Sequence, residues 1–495
     1  MTVQFNHIPS DLRVPIFAVE MDNSAANTAT ETSKALCIGL SLTDTSLNKP
    51  NPTSNYAKAL NAYGSGSMLA EMVNKFRINE AMMSVHCLAV KENSAGAAAT
   101  GSIKVTGTAT ASGTINLYIA ERKIQVGVNE GDEAADIATA IAAAITAESK
   151  SYAKAEASET TVTLTAKWKG LSGNEISIKL NKGGESSGEA TPAGITLEIT
   201  PMSGGTADPD ISEALANLGD ESYDFVVCGF NNPDAVKALE DFFNDSTGRW
   251  SYYKMLYGHG FIAKRCTLSE AQTYGKTLNC QHISILPFDG TDTPSWEFAA
   301  AMTGSSCNSL ASTPALPLQT LPILGVSAPS IEDRFDTLER NTLLYCGMST
   351  FTVVSGTCQI DRMITTYQKN SQGEADNSYL DVETLFTSIY VIRFLKSRIT
   401  SKYSRCSLVA NGTRVAEGVK AVTPNDIRNE LIAAYLELEL QGLVENSAIF
   451  AKYLVVELDA NDPNRANILF PPDYANQLRI IALLNQFRLQ YKETN

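Results

Sequence analysis

Histidine and tryptophan are scarce in this sequence, with four of the first and three of the second among 495 residues. The histidines, at 7, 86, 259 and 282, stand at no metal-ligand spacing from one another, from a cysteine or from a carboxylate. A zinc or iron centre is therefore not indicated. His86 and His282 read as core residues, and His259, between Gly258 and Gly260, as the one most open to solvent. Nine cysteines form no C-x-x-C pair, and their odd number argues against a disulfide framework. Most lie in apolar strings such as FVVCGF and ALCIGL, as small core residues of a reducing compartment do. No Walker signature is present and no nucleophile elbow supports a hydrolase. Asp289-Gly290-Thr291-Asp292 lacks the spacing and closing Glu of a calcium loop and reads as a turn. Enzymatic activity and a cofactor are accordingly not expected.

Long apolar runs are missing too. None approaches the ~20 residues that cross a bilayer. The opening MTVQFNHIPSDLRVPIF has no charged region followed by an apolar one, so it is not expected to act as a signal peptide. The expected setting is cytoplasm, without membrane insertion. Positive charge is in deficit, leaving a net −15. Phosphate backbones would be repelled, which argues against a general nucleic-acid binder.

What is present describes a folded, multidomain α/β chain. Apolar residues make up 44% and charged residues 19%, and the length exceeds what one core serves. Residues 1–25 read as an arm. Pro9 and Pro15 break any helix, and Val14, Ile16, Phe17 and Val19 belong to an extended stretch suited to a sheet edge. Lys34–Leu40 is a strand covered on both faces. The turn Tyr63-Gly64-Ser65-Gly66-Ser67 lacks the further glycine or Lys-Ser/Thr of a phosphate loop, and Ser67 reads as the cap of a helix carrying Leu69, Met72, Val73 and Phe76. Residues 91–204 change character: they are rich in Thr, Ala, Gly and Ser, with one Trp and no Phe or Cys. Several short strands and a helix with Ile137, Ile141 and Ile145 make this an inserted β-rich module.

The α/β grammar then resumes. Tyr223–Gly229 is a buried strand, Asn232-Pro233-Asp234 caps a helix, and residues 314–329, with four prolines, read as a linker. Beyond it come a hairpin around Gly356, a helix from about Val382 to Tyr403, and a second helix opened by Thr423-Pro424-Asn425-Asp426 and stopped at Gly442. The expected domains are 26–90 with 205–330, 91–204, and 331–485, flanked by arms 1–25 and 486–495. Two features stay open on residues alone. Phe487, Leu489 and Tyr491 alternate with polar residues as a half-buried strand does, and that strand serves either its own domain or another subunit. Arg393, Arg398, Lys402 and Arg405 form either a solvated face near a helix C-terminus or a docking surface for an acidic partner.

Several segments resemble one family. The opening IPSDLRVPIFAVEMDNSAAN is similar to the start of the contractile-tail sheath proteins of bacteriophage Mu and Mu-like prophages. So are YGSGSMLAEM, TGTATASGTINLYIAERKIQVGV, LTAKWKGLSGNEISI, DRMITTYQKNSQGEADNSYLDVETL and NDPNRANILFPPDYANQLRI, which together span nearly the whole chain in order. The resemblance implies a sheath-type α/β core with an inserted β-rich domain and a C-terminal α+β domain. It also implies stacked six-membered rings around a tail tube, contraction that drives the tube through a host envelope, and contacts with itself, the tube, the baseplate and a tail terminator. The expected places are the virion and, during assembly, the host cytoplasm. The arms would add strands to neighbouring subunits through Val14–Val19 and Phe487–Tyr491, with a receiving hairpin in 351–367. The basic residues 393–405 would face the tube. On composition alone, another tail component or a surface adhesin would also fit; the unpaired cysteines weigh against the adhesin.

Overall fold

The computed structural model describes residues 33–489. They form two compact units, Ser33–Thr387 with 476–489, and Ser388–Ala475.

In the first unit a six-stranded sheet runs in the order Ile283–Phe288, His259–Arg265, Phe225–Cys228, Lys34–Leu40, Ser84–Val90 and Pro50–Pro52. The first five strands are parallel; Pro50–Pro52 is antiparallel at one edge. Parallel strands need crossovers and bury both faces, and Phe225–Cys228 and Ile283–Phe288 are buried at every residue. The helices Met68–Asn79 and Ser295–Ser312 pack against each other. Gly304 makes this approach possible, since a Cβ there would meet the Phe76 carbonyl at 2.7 Å. Ser67 caps the first of these helices through Ala70 N–H, and Asn232 caps Pro233–Phe243 with proline at its first turn.

Within this unit, Ala98–Gly107, Ala153–Ser158, Thr161–Lys169 and Ile195–Ser203 form a four-stranded antiparallel sheet. Gly113–Ile119, Arg122–Val128 and Ile178–Leu180 form a three-stranded one. The helix Ala134–Ala147 buries Ile137, Ile141 and Ile145 against both sheets. The strands 153–158 and 195–203 were not anticipated: AKAEAS and ITLEITPMS carry few large apolar residues.

Three expectations are corrected here. His259 is fully buried, its Nε2 within 2.8 Å of Ser284 Oγ, because it lies in a central strand under Phe261 and Phe386. The glycine before it reflects close backbone packing, not exposure: a Cβ on Gly258 would meet the Tyr223 carbonyl at 2.2 Å. The proline-rich 314–329 stretch is stitched down rather than acting as a loose linker, with Thr320 and Ile323 N–H groups bonded to the Ile360 and Cys358 carbonyls. It thereby covers one edge of the hairpin Thr350–Val354/Thr357–Arg362, whose turn places Ser355 and Gly356 at positive φ. The third correction concerns the C-terminal segment, described below.

In the second unit, Pro424–Leu440 starts from a Thr423–Asp426 capping box and buries Leu431, Ala434, Tyr435 and Leu438. Tyr435 stacks on Phe450 at 3.7 Å, and its hydroxyl donates to the Glu445 carbonyl at 2.7 Å. Val455–Leu458 and Ala466–Leu469 form an isolated antiparallel hairpin. Among the described residues eight cysteines are buried and Cys406 is half-buried, all of them free.

Candidate assembly interface

Val14, Ile16, Phe17, Val19 and Tyr491 lie outside the described residues. Phe487 and Leu489 are described, and neither belongs to a strand in the subunit. The segment from Ile480 to Leu489 carries no secondary structure, and Ile480, Ile481, Leu483, Leu484, Phe487 and Leu489 expose 76–97% of their surface. Read from sequence, Leu478–Leu484 is apolar on both faces and is expected to stay in its own domain; its exposure overturns that expectation. Apolar residues on both faces imply a cover, and none of the described residues covers this stretch.

The root of the segment is held firmly. Arg479 Nη2 donates to Glu383 Oε1 at 2.8 Å and to Asp381 Oδ1 at 3.2 Å. Gln477 Nε2 reaches the Ala315 carbonyl, and Gln319 Nε2 reaches that of Leu478. Sequence reading passed over Arg479. The available signal was that it is the one charged residue between Asp473 and Arg488, set inside an apolar run.

The four basic residues are not equivalent. Arg398 pairs with Glu430 and Glu437, and Lys402 with Glu430 at 2.6 Å. Glu430 is nearly buried; burial alone would raise its carboxyl, but Lys402 and Arg398 outweigh that and hold it low. Arg398 is thus largely committed inside the unit. Arg393 is half-buried, while Lys402 and Arg405 are exposed.

A second charged region joins the β-rich module to the α/β core. Lys75 on the Met68–Asn79 helix pairs with Glu121 of the module at 2.6 Å and with Glu297 at 3.0 Å. Arg122 of the module pairs with the fully buried Glu71 at 2.6 Å, and Tyr56 donates to the same carboxylate. Tyr152 donates to Glu297, and Lys179 and Lys182 hold Asp292 at 2.8 and 2.7 Å. Glu175 of the module accepts the Ser295 N–H at 2.9 Å, serving the helix Ser295–Ser312, whose own N-cap, Pro294, offers no side-chain acceptor. Beside these groups Tyr152, Trp168 and Trp296 meet edge-to-face with centroids 5.5–5.6 Å apart. Two of the three tryptophans are used here.

Catalytic constellations do not emerge among the described residues. No group of three His, Cys, Asp or Glu residues could hold a metal ion, and no helix is long and apolar enough to cross a membrane. One Gly-x-Ser-x-Gly string does occur, Gly184-Glu185-Ser186-Ser187-Gly188, but it forms an exposed 3-10 turn rather than a strand-to-helix elbow. Ser284 and His259, though bonded, are both fully buried.

Comparisons with known proteins agree along the chain. Residues 94–196 match the phage tail sheath protein beta-sandwich domain, 204–366 the central domain, and 374–488 the C-terminal domain. The Mu-like prophage FluMu tail sheath protein of Haemophilus influenzae is 40% identical over 494 residues, covering 99% of this chain and 100% of that protein. Among solved structures, a sheath tail protein from Listeria innocua shares 9% identity over 92% of this chain and 94% of its own, with a TM-score of 0.48. One from Desulfitobacterium hafniense shares 12% over 93% and 100%, with a TM-score of 0.47. The contracted helical sheath of the anti-feeding prophage shares 8% over 97% and 100%, with a TM-score of 0.46. Matched in three successive domains and along its whole length to a curated relative, the chain belongs to the phage tail sheath proteins of the Mu-like type.

Proposed function

We propose that this sheath protein polymerises as stacked six-membered rings around a tail tube and that contraction of the stack drives the tube through a host envelope. On this reading its partners are other copies of itself, the tube protein, the baseplate and a tail terminator, and it resides in the virion after assembly in the host cytoplasm. One observation carries the proposal: beyond an anchored root, the apolar side chains of residues 480–489 are uncovered among the described residues.

A strand with exposed apolar side chains finds its partner on an open sheet edge. Two hairpins offer one. In Thr350–Val354/Thr357–Arg362 the second strand is already flanked by Thr320–Ile323. The hairpin Val455–Leu458/Ala466–Leu469 exposes Val455, Ile468 and Leu469. Isolated two-stranded ladders are marginal in water, so the 455–469 hairpin is the better receiver than the expected 351–367. Burying six apolar side chains contributes roughly 9–18 kcal/mol at about 1.5–3 kcal/mol each. Ordering ten residues costs about 10–20 kcal/mol. A single donated strand is therefore near balance, and the lattice forms when each subunit gives and receives at once. The N-terminal stretch with Val14, Ile16, Phe17 and Val19 is proposed as the second donor.

The test is whether the purified chain builds hollow helical tubes, seen by negative-stain electron microscopy, and whether a chain ending at Arg479 stays folded and monomeric. Tubes of normal yield from the shortened chain would remove the donor role. For the tube-facing surface, Arg405→Glu is a cleaner probe than a change at Arg398 or Lys402, either of which would disturb Glu430 inside the unit. Decoration of tail tubes should weaken while self-assembly persists; unchanged decoration would assign this residue to solvent.

A further inference from the structure

The C-terminal segment has a sharp boundary between what its subunit holds and what it leaves uncovered. Residues 477, 478 and 479 each bond to the unit 33–387, through Ala315, Gln319, and the Asp381–Glu383 pair. The anchor is stiff. Glu383 has a fully buried side chain in the first turn of the helix Val382–Tyr403, and its Oε1 also accepts the Leu318 N–H at 2.9 Å. Asp381 is gripped by Arg362 through both carboxylate oxygens at 2.9 Å. Two carboxylates and two guanidiniums thus form a locally neutral cluster, in which Arg362 meets Asp381 bidentately and Arg479 reaches Asp381 and Glu383 through Nη2. Burial pushes the Glu383 carboxyl up, and Arg479 opposes that shift.

Beyond the anchor the sequence has a phase. In an extended chain Ile481, Leu483, Asn485, Phe487 and Leu489 fall on one face, and Ile480, Ala482, Leu484, Gln486 and Arg488 on the other. The first half is thus apolar on both faces, and the one-faced phase is carried by residues 486–489. Moving such a segment by one residue turns its apolar stripe to the opposite face. We infer that Arg479 is a positioning residue: clamped to Asp381 and Glu383, it fixes the point at which the segment leaves the subunit, and so sets the register in which residues 480–489 pair with a second copy of this chain. The inference rests on the donor reading above, and adds to it which residue sets the phase.

Two single-glycine insertions in the full-length chain test it, one between Ala475 and Asn476, the other between Arg479 and Ile480. Both leave the Arg362–Asp381–Glu383–Arg479 cluster intact, so a melting curve of each monomer should match the parent. If the clamp sets register, the upstream insertion is absorbed before it and tubes form as in the parent. The downstream insertion flips the stripe, and tubes are lost from sedimentation and electron micrographs. Removing the residue following the inserted glycine, Ile480, restores the phase and should restore tubes. Arg479→Ala should reduce tube yield, with Arg479→Lys recovering part of it. Any other pattern of the two insertions, both tolerated, both lost, or the reverse order, overturns the clamp. Failure of the donor reading is distinguishable, because then the chain ending at Arg479 would itself form tubes.

Discussion

The seam around Lys75 and the segment 480–489 are opposites in the same unit. At the seam, Lys75 and the carboxylates of Glu71, Glu297 and Asp292 are buried, and every charge named has a partner in the chain. Along the segment, apolar side chains stand in water. Either arrangement is unfavourable by itself: an unpaired buried charge costs several kcal/mol, and a continuous exposed apolar stretch marks an interaction site or an aggregation hazard. The seam resolves its problem within the subunit. On the proposed reading, the segment leaves its problem for another copy of the chain.

This contrast can be broken from the seam side first. Lys75→Met should leave Glu121 and Glu297 facing each other without their cation and cost about 3–5 kcal/mol, read from urea unfolding. A midpoint equal to the parent's would mean the seam does not hold the module. Acid should act on the same groups with a smaller effect. Burial alone would raise the Glu121 carboxyl, but Lys75 and the bonds from Ser327 and Thr293 outweigh it and hold it below the ordinary range. Asp292 behaves alike, with Lys179 and Lys182 overcoming burial. Carboxyls held low contribute stability that is complete above their unfolded values and lost as pH falls through the folded ones. Glu297 runs the other way: burial, helped by Glu121 and Glu71, raises it against Lys75, so its protonation returns part of the loss. The melting temperature should therefore be flat from neutrality to about pH 5 and fall below about pH 4. Lys75→Met should flatten that fall; an unchanged acid profile in this variant would contradict the assignment. On the segment side, Leu483→Ser should shift monomer stability by less than about 0.5 kcal/mol, yet prevent tube formation. A destabilised monomer would show that the segment packs at home.

How much of this could be read without the structure follows the range of the interactions. Local signals were sufficient for the Ser67 cap, the Asn232-Pro233 and Thr423-Pro424 helix starts, the Gly356 turn and the helix Val382–Tyr403. Each depends on residues a few positions apart. The seam was not readable, because Glu71 and Lys75 sit in an unremarkable helical pattern and their partners lie about 50 and 225 positions away. The cap on Ser295–Ser312 comes from Glu175, 120 residues upstream. Ala466–Leu469 was missed because Ala-Asn-Ile-Leu is too short to show a period, and only its pairing with Val455–Leu458 defines it. His259 misled through its glycines, which usually signal a loop. At the candidate interface, alternation pointed to Phe487 and Leu489 and the charge pattern to Lys402 and Arg405, whose roles are proposals. Neither revealed that Arg398 is spent on Glu430 or that Arg479 anchors the segment.

Amide hydrogen exchange of residues 480–489, measured in the monomer and again in assembled tubes, tests the central claim most directly. In the monomer these amides should exchange at nearly the rate of unstructured chain, while those of Lys34–Leu40 are protected. In tubes the 480–489 amides should slow by orders of magnitude, as strand pairing with a neighbour requires. Fast exchange of these residues in fully assembled tubes would contradict the account.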